Sequence, residues 1–200
     1  MTHRLYRMGR QGLLCAAACC AMAIEAPQIG AQALGSWPTG AMRGDFASNT
    51  GYGIGVFAGW EVGAGKALRL AYDGIWYPHG GDTDSSVLPS AQFNESDRKA
   101  RSHSVTAQYL YFPSGDTEGV YFKVGVGAMN YLTKVKATMT LPASPATEVT
   151  LLEESGTKLA TLAGLGYDFD KHWGVMAQYS FITSNNHTLG AVQTGICYRF

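Results

Sequence analysis

Apolar and polar residues alternate along most of this chain with a period of two, the spacing of β-strands. Seven segments show the alternation, each about 11 to 14 residues long: 50–62, 66–78, 101–112, 119–132, 157–168, 172–183 and 188–200. After residue 33 no stretch keeps the i, i+3, i+4 spacing of an amphipathic helix. None approaches the roughly 18 consecutive apolar residues of a membrane-spanning helix. The chain is therefore predicted to be all-β.

One face of each predicted strand is apolar and carries aromatic residues near its ends. In segment 119–132, Phe122 and Val124 share this face, whereas Lys123 lies on the other. Apolar faces bounded by aromatic girdles are typical of strands that face lipid. The pattern therefore predicts a transmembrane β-barrel. The opposite face, predicted to line the interior, carries nearly every strand charge: Glu61, Arg69, Asp73, Lys123, Lys158, Asp168 and Arg199.

A soluble β-sandwich or lipocalin-like barrel is the alternative, because it also alternates polar and apolar residues. Its apolar face would fill a core and its polar face would meet water. Such a core has no need to place large amphipathic rings at two levels, so the aromatic residues at both strand ends favour the membrane.

The connections alternate between short and long. Residues 63–65, 113–118 and 169–171 suit tight turns, whereas 79–100 and 133–156 are long and polar and are predicted to be loops. Short periplasmic turns and long extracellular loops are typical of outer-membrane barrels. Single-chain bacterial barrels have an even number of strands, so an eighth strand is expected at 36–47. The predicted fold is a closed antiparallel up-and-down barrel of eight strands.

The N-terminus has the organisation of a secretory signal peptide. Arg4, Arg7 and Arg10 precede an uncharged run over 13–24, and a small-residue site follows at 31–33. Cleavage is predicted after Ala33, which leaves 34–200 as the barrel domain. A retained N-terminal anchor or an internal hydrophobic helix is the alternative. Three of the four cysteines lie within this segment, so the mature chain would keep one, Cys197, and no internal disulfide.

The interior charges are interpreted as a structural network. An eight-stranded barrel has a lumen just wide enough for side chains to fill. Unpaired charges buried there would be costly, so acidic and basic side chains are expected to pair. Pairs of glycines on the same side of three strands occur at 53/55, 125/127 and 164/166. They are expected to leave room for large neighbours, including Tyr121, Met129 and Tyr131. A gated conduit is the alternative.

The charge balance and the sequence motifs give little support for catalysis or for nucleic-acid binding. Fifteen basic residues balance fifteen acidic ones, so no long-range field favours nucleic acid. The histidines lack metal-ligand spacing, and no metal, cofactor or catalytic residue is expected. Ser102-His103-Ser104 is the one close His/Ser cluster, and it is interpreted as a polar strand end.

The last five residues, Ile196-Cys197-Tyr198-Arg199-Phe200, end in an aromatic residue with hydrophobic residues two and four positions earlier. Together with the strand pattern over 50–200, this ending resembles the small outer-membrane β-barrel families that include the OmpA transmembrane domain, OmpX and NspA. The resemblance implies location in the bacterial outer membrane. It also implies that Ile196, Tyr198 and Phe200 form a signal read by the barrel-assembly machinery.

The expected function is non-enzymatic. We expect a monomer in contact with outer-membrane lipid and lipopolysaccharide, presenting its two long loops for adhesion, host-factor binding or envelope integrity. A lipid A-modifying enzyme and a small-solute channel are the alternatives, since the resemblance includes enzymes of similar size.

Overall fold

The computed structural model describes residues 26–40, 50–78, 85–88, 91–141, 145–183 and 188–200. Among them no helix is long and apolar enough to cross a membrane. The described residues form nine strands: β1 (Gln28–Gly40), β2 (Gly51–Gly63), β3 (Lys66–Tyr77), β4 (Ser85–Leu88), β5 (Ala91–Tyr111), β6 (Gly119–Thr140), β7 (Thr147–Asp168), β8 (Trp173–Thr183) and β9 (Thr188–Arg199).

Eight of these strands close into an antiparallel barrel, as the sequence predicts. Sheet order is β3-β2-β1-β9-β8-β7-β6-β5, and a further pairing between β3 and β5 closes the ring. The ninth strand, β4, is a four-residue segment whose one partner among the described strands is β5. Closure leaves every membrane-spanning strand with a partner on both sides, which a bilayer requires because it offers no water to backbone groups.

The predicted faces of the strands are confirmed. In β2, Gly51 to Phe57 alternate between buried and exposed side chains. Ile54, Val124 and Leu159 are apolar yet 65%, 56% and 63% exposed, because they point away from the lumen. Since a shift by one residue would exchange the two faces, this agreement fixes which side chains meet lipid.

The position of the first strand is corrected. It was predicted at 36–47, but β1 spans Gln28–Gly40 and pairs with both β2 and β9. Ile29 and Ala33 lie on its outer side, and Gln32 and Leu34 are buried inside. Small residues make this alternation weak, which explains why the pattern missed it. Positions 41–47 of the predicted strand lie outside the described residues.

The first strand extends across the cleavage site predicted after Ala33. Cleavage after Ala33 would remove residues 28–33, which pair with β2 and, from Gly30 on, with β9. Loss of this half of β1 would open the seam where the first and last strands meet. The predicted domain boundary at residue 34 stays a prediction, and β1 itself begins at Gln28. Residues 1–25 lie outside the described residues, and the signal peptide itself stays a prediction.

Large parts of the two predicted long loops are β-structure. Residues 91–100 belong to β5, and residues 133–140 and 147–156 belong to β6 and β7. These strands have 21, 22 and 22 residues, whereas the other five barrel strands have 11 to 13. Polar composition suggested loops because the extensions stand clear of lipid and no longer alternate in the membrane pattern.

The short turns, the start of β1 and the C-terminus lie at one end of the barrel. The turn between β2 and β3 and the turn between β5 and β6 contact each other, with the Phe112 N–H donating to the Gly65 carbonyl at 2.7 Å. Gly65 and Gly115 have φ angles of 63° and 84°, which side chains with a Cβ adopt rarely. Phe200 N–H donates to the Ile29 carbonyl at the same end. We call this end the short-turn end and the opposite one the long-loop end.

Candidate functional site

Five of the seven charged residues predicted to lie in the lumen are buried there. Arg69, Asp73, Lys123, Asp168 and Arg199 are all 6% exposed or less. These are three cations and two carboxylates. The described interior therefore contains one more basic than acidic side chain.

Asp168 and Arg199 form an ion pair near the short-turn end. Arg199 Nη2 lies 2.8 Å from Asp168 Oδ2, and both side chains are buried. Arg199 Nη2 also donates to the Asp170 carbonyl at 3.3 Å. The absence of a side chain at Gly174 makes space for Asp168, since a Cβ there would overlap the carboxylate. The pair links β7 to the C-terminal strand across β8.

The other buried charges have separate partners. Lys123 Nζ donates to Met176 Sδ at 2.7 Å. The Arg69 guanidinium lies 4.1 Å from the centre of the Phe57 ring, a cation–π contact.

Asp73 accepts a hydrogen bond from the Gln32 amide, and Gln32 Oε1 accepts one from Cys197 Sγ at 3.6 Å. In the described lumen, the charges thus contact polarizable and amide groups as well as one another.

Glu61 and Lys158 lie away from the buried group. Glu61 is exposed at the short-turn end, where its Oε1 accepts a hydrogen bond from Thr117 Oγ1 at 2.8 Å. Lys158 is half-buried on β7, just beyond the last residue that pairs with β8. The structure therefore does not bring these two side chains together with the other five.

Large side chains fill the described lumen. Tyr121 is fully buried, and its ring occupies the space beside Gly166, where a Cβ would overlap it. This confirms the expectation that inward glycines make room for large neighbours. One cavity of about 20 Å³ lies beside Arg69 and another of about 10 Å³ beside Tyr77. Each has room for about one water molecule.

The Ser102-His103-Ser104 cluster is divided between the two faces of β5. Ser102 and Ser104 are buried inside, at 3% and 9% exposure. His103 faces outward, where its Nδ1 lies 2.8 Å from the Tyr72 hydroxyl. The serines therefore cannot use this histidine as a general base, which requires hydrogen-bond contact. No group of three metal-ligating side chains occurs within the described ranges.

Asp170 organises the turn between β7 and β8 at the short-turn end. Its Oδ1 accepts the backbone N–H groups of Trp173 and His172, both at 2.7 Å. These two bonds hold the pKa of the Asp170 carboxyl below its ordinary value of 3.8. The ionised carboxylate is thus a structural part of the turn.

The C-terminal residues Ile196 and Phe200 face outward and are 56% and 76% exposed. Tyr198 lies between them along the strand, and its ring centre is 4.7 Å from that of Trp173 and 5.3 Å from that of Phe200. The three side chains predicted to form the assembly signal are therefore at the lipid-facing surface. Recognition by the assembly machinery stays a prediction.

Beyond the long-loop end, β5, β6 and β7 continue as a protruding sheet. Pairing of β5 with β3 stops at Ala100, and pairing of β7 with β8 stops at Ala160. Ion pairs join β6 to β7 above these points: Lys134 Nζ to Glu153 Oε2 and Lys136 Nζ to Glu148 Oε2, each 2.9 Å. From Thr147 to Leu159, the outer edge of β7 has no ladder partner among the described residues.

An apolar outer belt, a filled polar and charged interior, and closed strands of membrane-spanning length define a small transmembrane β-barrel of the outer membrane. Comparison with protein families agrees: the profile of the outer membrane protein beta-barrel domain matches residues 12–200. The chain belongs to this family and lies in the bacterial outer membrane. A search of curated protein sequences finds no match.

Solved structures with the same fold include Ail, the attachment invasion locus protein of Yersinia pestis. It has 17% identity and a TM-score of 0.54, over 88% of this chain and all of that chain. The N-terminal β-barrel domain of Pseudomonas aeruginosa OprF has 16% identity and a TM-score of 0.52, over 86% and 97% of the two chains. At these identities the likeness shows the fold.

Sequence reasoning missed the uncharged partners of the interior charges. Met176 and Phe57 lie on the inward-facing side of their strands, as Lys123 and Arg69 do. This shared side was the one sign in the sequence that they could meet the charges. Which inward residues meet depends on the register between strands. The role of Gln32 was missed for a different reason, because residues 31–33 were assigned to the predicted cleavage site.

Proposed function

We propose that this protein is a non-enzymatic outer-membrane barrel that binds an external protein through its protruding sheet. The observation that carries the proposal is the edge of β7 between Thr147 and Leu159, which has no ladder partner in the part of the chain that the structure describes. An edge of this kind presents backbone N–H and C=O groups to which an extended segment of another protein can add as a further strand. At about 3.3 Å per residue, this edge is roughly 40 Å long.

The filled lumen supports this role over conduction. The cavities beside Arg69 and Tyr77 each have room for about one water molecule. The separation of His103 from its neighbouring serines supports a role without catalysis. The proposed role and its two alternatives differ in readout. They would appear as attachment to host surfaces, single-channel current in planar bilayers, and a change in lipid A acyl chains detected by mass spectrometry.

Shortening the β6–β7 hairpin tests the proposal. Lys134 and Glu153 are ladder partners, so residues 135–152 can be replaced by Asn-Gly, which closes a tight hairpin at that level. The matched control replaces only residues 140–146 by Asn-Gly and joins the ladder partners Met139 and Thr147. The control keeps the whole edge of β7, whereas the short variant loses residues 147–152, about half of the edge and the part farthest from the barrel.

Bacteria producing each variant are tested for attachment to epithelial cell monolayers. We expect attachment with the wild type and the control, and its loss with the short variant. Heat-modifiable migration on gels must show that all three barrels are assembled. Equal attachment by the short variant would refute the proposed edge, and a change in lipid A acyl composition would refute the non-enzymatic role.

A further inference from the structure

One nitrogen of the buried Arg69 guanidinium lacks an acceptor. The side chain is 6% exposed, and its Nη1 has no hydrogen-bond partner in the part of the chain that the structure describes. The ladder partners of Arg69 are Gly59 on β2 and Gln108 on β5, and neither is charged. The Phe57 ring attracts the positive charge but offers no oxygen or nitrogen acceptor. Because a buried N–H without an acceptor is costly, a further ligand is expected here.

The buried carboxylates of the described lumen have other partners. Asp168 forms the ion pair with Arg199, and Asp73 accepts a hydrogen bond from the Gln32 amide. Along β3, Asp73 is separated from Arg69 by roughly 13 Å of strand. The described interior therefore keeps one positive charge in excess. Water beside Arg69 would satisfy the N–H and leave this charge uncompensated, whereas an anion would do both.

The cavity beside Arg69 has the size of a monatomic anion. Its volume of about 20 Å³ gives room for about one water molecule, and a chloride or bromide ion is only slightly larger than water. Sulfate and phosphate carry several oxygens around a central atom and would not fit. The walls include Phe57, Leu110 and Phe112. An apolar lining of this kind strengthens the attraction between an ion and the guanidinium.

The cavity lies at the short-turn end of the lumen, where Arg199, Thr117 and Glu61 also line it. Arg199 adds a second positive charge, and Glu61 is the opposing one. The Glu61 carboxylate is exposed and accepts a hydrogen bond from Thr117 Oγ1 at 2.8 Å. Solvent and salt screen an exposed charge more than a buried one. The electrostatic potential inside the cavity is therefore positive.

We propose that this cavity binds one halide ion, chloride under physiological conditions, with Arg69 Nη1 as its main donor. We call it the halide site. The ion neutralises the excess positive charge of the described lumen and so stabilises the closed barrel. The halide site is separate from the edge of β7 and does not rest on the proposed function.

The first test locates the ion directly. The assembled wild-type barrel is crystallised with sodium bromide in place of chloride, and anomalous scattering is recorded at the bromine absorption edge. We expect one anomalous peak inside the lumen, in contact with Arg69 Nη1. Density at this position without anomalous signal would identify water and would overturn the proposal.

The second test measures stability in different salts. The barrel in phosphatidylcholine vesicles is unfolded with urea in sodium chloride, sodium bromide or sodium sulfate at equal ionic strength. Sulfate stabilises folded proteins generally, because it is excluded from their surfaces, whereas a halide bound by the folded state alone stabilises only a barrel that has the site. The ratio of the unfolding constants in sulfate and in halide isolates this specific contribution. At a halide concentration of about ten times its Kd, this ratio should be about elevenfold larger for the wild type than for a variant without the site.

Two variants remove the halide site in different ways. Gly59→Val fills the cavity and keeps the guanidinium, since Gly59 lines the cavity and the nearest atom to a Cβ there is 3.7 Å away. Arg69→Gln removes the charge. The matched controls are Gly63→Val on β2 and Lys66→Gln on β3. Both positions are exposed at the neighbouring turn and lie outside the cavity lining.

Both site variants are expected to lose the halide-specific stabilisation, and both controls are expected to keep it. An undiminished halide effect in Gly59→Val, or an equal loss in the controls, would overturn the halide site. Heat-modifiable migration shows which variants are assembled barrels. If Arg69→Gln does not assemble, Gly59→Val and the bromide map of the wild type decide, because both retain the arginine.

Discussion

The face assignment of β6 predicts a large difference between two arginine substitutions on one strand. Val124 is 56% exposed and lies between Tyr109 and Ala163 on the neighbouring strands, in the middle of the apolar row from Val120 to Ala128. Val124→Arg would place a charge near the bilayer midplane. The expected loss in free energy of unfolding is about 2–4 kcal/mol.

Thr140→Arg is the matched control, because Thr140 is exposed at the far end of β6, above the membrane. A surface substitution of this kind is expected to change the free energy of unfolding by no more than about 0.5 kcal/mol. Both variants are folded into phosphatidylcholine vesicles and unfolded with urea, and tryptophan fluorescence gives the midpoint and slope. The reasoning is refuted if the two variants are equally stable or if Thr140→Arg is the less stable one.

A cysteine scan tests which side chains of β6 face lipid without a stability measurement. Single cysteines are placed at positions 120 to 127 in a background whose four native cysteines are replaced by serine, and the variants are exposed to a lipid-soluble thiol reagent. Labelling is expected at positions 120, 122, 124 and 126, where the native side chains face outward. Labelling at 121, 123, 125 and 127 would show that the two faces of the strand are exchanged.

Three further predictions concern the interior and a turn. Lys123→Met removes the excess buried cation and is expected to change the free energy of unfolding by less than about 1 kcal/mol. Asp168→Asn leaves its arginine partner unpaired and is expected to lower the free energy of unfolding by about 3–5 kcal/mol. Urea unfolding compares the two variants. Gly166→Ala should cost about 1–3 kcal/mol because the new methyl group overlaps a buried tyrosine ring, while Gly59→Ala, where the nearest atom is 3.7 Å away, should be tolerated. The pKa of Asp170 is lowered in the folded protein, so its stabilising effect is complete above the ordinary carboxyl pKa of 3.8 and is lost as pH falls through the lower folded pKa. Asp170→Asn should remove this loss of stability in acid. An unchanged pH dependence of stability in this variant would contradict the role of Asp170 in the turn.

The sequence by itself determined the membrane class of the fold. Period-two alternation places Val124 and Lys123 on opposite faces, and no partner strand is needed to see that one face is apolar throughout. Seven of the eight strands and the location of the short turns followed from the same pattern and from the glycines and prolines between segments, whereas the eighth strand was expected only because such barrels have an even number of strands. These are local properties, which is why they can be read without the fold.

Only the tertiary structure decided where the chain closes and which interior groups meet. Residues 28–33 are short and weakly patterned, and they become a strand because β2 and β9 both lack a partner until β1 fills the gap. Lys123 meets Met176, rather than the acidic partner expected from charge alone, because barrel register sets the neighbours of each inward side chain. The extensions of β5, β6 and β7 have a polar composition suited to loops, and they form strands because each pairs with a neighbour that also continues beyond the membrane. Pairing across the chain is a long-range property, so alternation along a single segment could not supply it.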